Sequence, residues 1–225
     1  KGLERRAAAG EDLSKVASVA SFFVSRVDSA IDAVLEKRPE PEAKALLGKA
    51  AIANAKLAYQ HFKKVFSSAR FSALKAKGAS AQRLLWASPG TKNAAYKDTL
   101  YVEELIGLDT VNTMPPATMD AYRDHGAGRP SIEDAVEEAR AQWDALPRCG
   151  VDRAAILARL EEEGLASFSK SFETLMRKLT TKCAQLGKLT TKRAQLAAEN
   201  TVMDAGLAEL SAARFCERLW AKDPS

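Results

Sequence analysis

"SVASFFVSRVD", residues 18–28, is the stretch that decides the fold. It belongs to a run, residues 16–24, that is apolar or small on both parities: Val16, Ala20, Phe22 and Val24 on one, Ala17, Val19 and Phe23 on the other. A strand covered on both faces has that pattern, as parallel strands do. The run then gives way to Ser25, Arg26 and Asp28. In parallel α/β folds ligands sit at the carboxyl ends of the strands, so a guanidinium delivered there is a candidate anion ligand. Spacing leaves a second reading open, in which Arg26 forms a structural ion pair with Asp28 or Asp32.

Outward from this strand the chain reads as a series. Residues 43–66 are alanine-rich, with Leu47, Ala51, Ala55, Ala58 and Phe62 at helical spacing, and Pro39 and Pro41 mark the break before them. A further helix over 68–76 ends at Gly78, a residue suited to a helix C-terminus. "RLLWAS", residues 83–88, is short, apolar and closed by Pro89-Gly90, hence strand-like, with Trp86 read as core. Residues 98–106 read as a helix closed by Gly107, and "DTVNTMPP", residues 109–116, as a third strand opened by a turn at Asp109. Each connection is long enough for a crossover, which predicts parallel strands in an open sheet or part of a (β/α)8 barrel. No GxGxxG follows a strand, which lowers the dinucleotide-binding option. After Asp120 the strand patterns stop. Helices are predicted over 132–146, 152–163 and 165–185, broken at Pro147, Gly150 and Gly164. The tail holds a near-repeat, "LTTKCAQL" and "LTTKRAQL", to which no chemistry attaches.

Composition bounds the function. Of 225 residues, 46% are apolar and 28% charged, an ordinary globular balance with no apolar run long enough to span a bilayer. Cys149, Cys183 and Cys216 are scattered, and His61 and His125 stand far apart, so neither a disulfide framework nor a metal site is expected. His61 reads as a surface residue and His125 as a loop residue near a helix end. A reducing, cytoplasmic setting is the simplest reading, and the start "KGLERRAAAGEDLSK" reads as the middle of a protein. The net charge of +5 is uneven: residues 43–97 carry eleven Lys and Arg and no acid, and residues 174–198 carry six more and no acid. Such excesses attract anions, from phosphorylated small molecules to nucleic acid. One reading is therefore a basic helical module that binds nucleic acid or a protein partner. It explains the charge but not the strand ends. The first end delivers Ser21, Phe23, Ser25 and Arg26; the second Ser88, Thr91, Lys92 and Asn93; the third Asn112, Thr113 and Met114. A guanidinium fork, an ammonium and hydroxyls on one rim suit a phosphate monoester.

Four segments carry a resemblance: "DLSKVASVASFFVSRVD", "GKAAIANAKLAYQHF", "LLWASPGTKNAAYKDTLYVEELIG" and "DTVNTMPPATMDA". They resemble the C-terminal part of transaldolase, most closely the branch with a long insertion after the sixth strand. The resemblance implies an α/β fold, with the three strands as the sixth to eighth of a transaldolase-type (β/α)8 barrel, followed by an all-helical C-terminal segment. It implies partial barrel over 1–130, covering helices over 131–186 and a helical tail or linker over 187–225. The implied activity is transfer of a dihydroxyacetone unit between sugar phosphates through a lysine Schiff base, with no cofactor. The implied substrates are sedoheptulose 7-phosphate, fructose 6-phosphate, glyceraldehyde 3-phosphate and erythrose 4-phosphate, with no nucleic acid or membrane partner. By the family's motifs Ser21, Phe23 and Ser88 are substrate-site positions and Arg26 a phosphate ligand. Lys92 stands near a phosphate-binding arginine of other branches, at a different spacing. Pro89 and Ala94 replace the family's usual Thr and Pro in this loop. The Schiff-base lysine and the proton-shuttling carboxylates of the family belong to earlier strands, so no catalytic residue is expected here and this chain alone is expected to be inactive. The end, "ERLWAKDPS", resembles the junction of transaldolases that continue into a glucose-6-phosphate isomerase domain.

Overall fold

In a computed structural model, residues 1–200 are described; the end of the tail, with Cys216 and "ERLWAKDPS", lies outside them. The chain divides into two units, residues 1–162 and 163–225. The first is built on a parallel sheet of β1 (Val19–Phe23), β2 (Arg83–Ala87) and β3 (Thr110–Thr113), in that order. In register, Ser21 stands beside Leu85 and Leu85 beside Val111, while Phe23, Ala87 and Thr113 form the row at the carboxyl ends.

One face of this sheet is core. Phe22 meets Trp86 edge-on with ring centroids 5.7 Å apart, and Trp86 is fully buried. Its indole N–H donates to the Leu105 carbonyl at 3.1 Å, which satisfies the polar end of a buried ring. The other face is open: Ser21 is exposed and Val19 is 41% exposed. This corrects the expectation of a strand covered on both sides. Residues 1–162 supply helices to one face only.

The helices follow the apolar periodicities. Val24, Val27, Ile31 and Leu35 line the buried side of α2 (Val24–Leu35), after a short α1 (Gly2–Ala8) ahead of the sheet. The single helix expected over 43–66 is two, α3 (Pro41–Ala45) and α4 (Ala50–Phe66). Gly48 separates them at φ 71°, and a Cβ there would meet the Tyr96 ring at 2.7 Å, so a side chain is excluded twice over. Ala51, Ala55, Tyr59 and Phe62 of α4 then pack into the core. In α5 (Ala69–Lys75) the Ser68 hydroxyl caps the first turn by accepting from the Phe71 N–H. Next come α6 (Leu100–Glu104), α7 (Pro116–His125) and α8 (Val136–Ala145). The last begins four residues later than expected, because Ser131 and Ile132 donate their N–H groups to the Ile106 carbonyl and hold a loop. A 3-10 turn over Leu146–Cys149 leads through Gly150 to α9 (Arg153–Asn200).

Gly164 does not end a helix as expected: α9 runs through it. A mid-helix glycine costs about 1 kcal/mol relative to alanine, and the Glu, Leu and Ala around it are good helix formers. Among the described residues no helix is long and apolar enough to cross a membrane.

Candidate functional site

The carboxyl ends of the three strands are the place to look. Phe23 is at once the last residue of β1 and the N-cap of α2, so no loop intervenes. Ser25 and Arg26 therefore lie in the first turn of α2 rather than on the strand, which corrects the reading of 16–24 as one strand. Val24 fits both patterns; the helix takes it because Val27 and Ile31 continue its periodicity. The Arg26 guanidinium lies 4.5 Å from the centroid of the Phe23 ring, a cation–π contact that fixes a flexible side chain. Among the described residues it forms no ion pair.

Both aspartates considered as its partners are engaged elsewhere. Asp28 is 2% exposed; one carboxylate oxygen accepts from the Ala51 N–H at 2.7 Å, the other from the Tyr101 hydroxyl at 2.7 Å. Asp32 accepts from the Gly48 N–H at 3.1 Å and from the Tyr96 hydroxyl at 2.8 Å. The two carboxylates thus cap the start of α4, whose own first turn has no acid, and tie the β2–α6 loop to α2. Spacing hinted at this only weakly, through two acids four residues apart on the apolar side of a helix.

This cluster is pH-sensitive. Burial pushes the Asp28 carboxyl up to about 6, against the Tyr101 and Ala51 hydrogen bonds, and the nearby Asp32 charge adds to the rise. Burial also raises Asp32. Because the folded value exceeds the unfolded one, Asp28 contributes stability that is fully present below pH 3.8 and is lost as pH rises toward about 6. At about 1.4 kcal/mol per pH unit the loss is on the order of 3 kcal/mol. Denaturant unfolding across that window should show Asp28→Asn losing this share of the slope, since an amide exchanges no proton; parallel slopes for the two proteins would contradict the assignment.

At the end of β2, Ser88 adopts a left-handed backbone with φ 52°, uncommon for a residue with a Cβ. Its carbonyl accepts from the Ser25 N–H at 3.4 Å, which joins the first two strand ends. The Ser25 hydroxyl and the Asn112 side-chain oxygen are buried without hydrogen-bond partners among the described residues. Each such group costs about 1–3 kcal/mol, and both stand at strand-end positions. Ser21 opens onto the uncovered sheet face, two residues before Phe23 on the same side. Lys92 is exposed and lines a cavity of about 370 Å³ together with Asp32, Glu36 and Tyr96, an acidic neighbourhood. Phe23, Arg26 and Ser88 thus stand at the ends of neighbouring strands and Ser21 midway along β1, whereas Lys92 lines the cavity beside Asp32 and Glu36.

Other residues fall as follows. Lys56 is buried: its ammonium donates to Glu104 at 2.9 Å and to the Asp134 carbonyl at 3.1 Å. His61 is exposed, and Asp109 forms a left-handed turn at φ 56° before β3. His125 ends α7, between Asp98 at 2.8 Å and Asp124 at 3.0 Å. No cluster of His, Cys, Asp and Glu that could hold a metal occurs among the described residues.

Polar groups stand at the carboxyl ends of these parallel βα strands, the place where α/β folds bind ligands. Residues 3–179 match the family model described as Transaldolase/Fructose-6-phosphate aldolase, and the chain belongs to that family. A transaldolase of Thiobacillus denitrificans is 49% identical over 179 residues, 80% of this chain and 50% of the relative. A transaldolase of Mycolicibacterium smegmatis is 51% identical over 178 residues, 78% of this chain and 48% of the relative. One from Neisseria gonorrhoeae is 47% identical over 179 residues, 80% and 49% respectively. The chain spans about half the length of the curated relatives it matches.

Proposed function

We propose that this chain is the phosphate-side portion of a transaldolase, with β1, β2 and β3 as the last three strands of a (β/α)8 barrel and a helical segment after them. The whole enzyme transfers a dihydroxyacetone unit between sugar phosphates of the pentose phosphate pathway, in the cytoplasm and without a cofactor. The Schiff-base lysine and the proton-transferring carboxylates come from residues outside this chain. Here Arg26 grips the substrate phosphate in a fork, Ser88 donates its hydroxyl, and Ser21 and Phe23 face the sugar from the open side of the sheet. Lys92 adds positive charge at the rim. On this reading residues 1–130 belong to the barrel, 131–186 cover it and 187–225 form a tail.

The observation that carries the reading is Arg26: held by an aromatic ring just past the end of β1, with both aspartates of its own helix engaged elsewhere. A guanidinium kept in place without a counter-ion is poised for an anion that arrives from outside.

A chimera tests it. The upstream half of the Thiobacillus denitrificans relative, joined to this sequence, should transfer dihydroxyacetone from fructose 6-phosphate to erythrose 4-phosphate, with glyceraldehyde 3-phosphate as the released product. A folded chimera that forms the Schiff base but turns over no slower when this half carries Arg26→Ala would sink the reading.

A further inference from the structure

Residues 88–99 join β2 to α6 and carry Ser88 and Lys92. Thr91 is half-buried and residues 92–95 are exposed, so this segment has little apolar grip on the core. Tyr96 supplies one. Its ring lies over Gly48, where a Cβ would meet it at 2.7 Å, and its hydroxyl donates to Asp32 at 2.8 Å. The second Asp32 oxygen accepts from the Gly48 N–H at 3.1 Å. Both oxygens of this buried carboxylate are therefore engaged, one by the segment and one by the turn before α4. Burial and the Asp32 carboxylate push the Tyr96 hydroxyl above its usual value, so it keeps its proton and goes on donating.

Lys92 stands four residues before Tyr96 and lines one cavity with Tyr96, Asp28, Asp32, Glu36 and Tyr101. A buried carboxylate left without donors attracts any cation within reach, because a charge taken out of water needs a partner. Among the described residues, however, the Lys92 ammonium forms no ion pair or hydrogen bond. Glu36 is exposed, and water screens its charge. Asp28 is answered by Tyr101 and Ala51, neither of which belongs to the segment. Asp32 is the carboxylate whose partner the segment itself provides. All of these groups lie within residues 1–162. We propose that Tyr96 is a positioning residue for Lys92: by occupying Asp32 it leaves the ammonium free for the substrate phosphate. The inference rests on the reading of Lys92 as a cation at the rim of the phosphate site. It adds that this cation is available only while the phenol holds the buried carboxylate beside it.

Tyr96→Phe keeps the ring over Gly48 and removes only the hydroxyl. In the whole enzyme it should raise KM for fructose 6-phosphate about tenfold, the weight of one charge-assisted contact, with kcat little changed. With unphosphorylated fructose as donor KM should stay as it was. Asp32→Asn alone should leave both values near wild type, since an amide has no charge to capture the lysine. Added to Tyr96→Phe, it should restore KM. A purely structural bond between Tyr96 and Asp32 gives the opposite pattern, two damaging single changes and a double no better than either. Thermal unfolding verifies that each variant folds. In a Lys92→Ala background Tyr96→Phe should have no further effect, and this comparison decides the matter without the Asp32 change. The proposal is overturned if Tyr96→Phe leaves KM unchanged where Lys92→Ala raises it, if its effect persists in the Lys92→Ala background, or if Asp32→Asn fails to restore KM. If Lys92→Ala itself leaves KM unchanged, the rim reading falls and the proposal with it, while Arg26 is still judged by its own variants.

Discussion

Incubated with fructose 6-phosphate and borohydride, the 225-residue chain should give no trapped adduct, and its transaldolase rate should stay at the uncatalysed background. A Schiff base needs an amine that is unprotonated near neutral pH and aimed at a bound carbonyl, which desolvation or a neighbouring cation supplies. The lysines described here offer neither arrangement. Lys56 is the buried one, and its ammonium is spent on Glu104 and the Asp134 carbonyl, in the helical layer rather than at a strand end. Lys92 is exposed and shares its cavity with Asp32 and Glu36. Enzymes accelerate such reactions by about 10⁶-fold or more, and all of that should be missing. Mass spectrometry of the reduced mixture checks it, and a sugar adduct on any lysine of this chain would refute it.

Arg26→Ala in the whole enzyme should lower kcat/KM roughly thirty- to a thousandfold. The lost contact is charge-assisted and bidentate, about 2–4 kcal/mol in a partly desolvated site, at about 1.4 kcal/mol per decade. Arg26→Lys should recover only part, since an ammonium keeps the charge but not the fork. Nor can a lysine lie as a plane on the Phe23 ring, where the guanidinium is held 4.5 Å from the centroid. Steady-state kinetics of the two variants gives the comparison. Equal rates for Ala and wild type would remove Arg26 from the site.

How far the sequence leads depends on the range of the contact that matters. The three strands were legible because each is a short apolar run closed by a local break: Arg26 after Phe23, Pro89 after Ser88, Pro115 after Met114. Their parallel order followed from the crossover lengths. The transaldolase family was legible too, from long segments in the right order. Boundaries were less so where one residue suits two patterns, as Val24 does between β1 and α2. Gly48 went unnoticed as a break because its cause is Tyr96, which arrives from a loop 48 residues away.

The clusters around the candidate site were the least legible. Asp28 finds Ala51 and Tyr101 at separations of 23 and 73 residues, and Lys56 finds Glu104 and Asp134 at 48 and 78. No spacing rule reaches across such distances. Read locally, Asp28 and Asp32 looked like partners for Arg26, and nothing near Lys56 in the sequence marked it for burial. Their carboxylates and ammonium are instead drawn inward by donors and acceptors that only the fold supplies.

The proposal that Arg26 serves the substrate's phosphate rather than the fold is tested most directly by one ratio. In the whole enzyme, the kcat/KM loss caused by Arg26→Ala should be measured with fructose 6-phosphate and with unphosphorylated fructose as donors. If the guanidinium grips phosphate, the loss is large for the first donor and shrinks to within a few-fold for the second, because the deleted partner is then absent in both proteins. An equal loss on both donors would show Arg26 acting on structure, and would contradict the account.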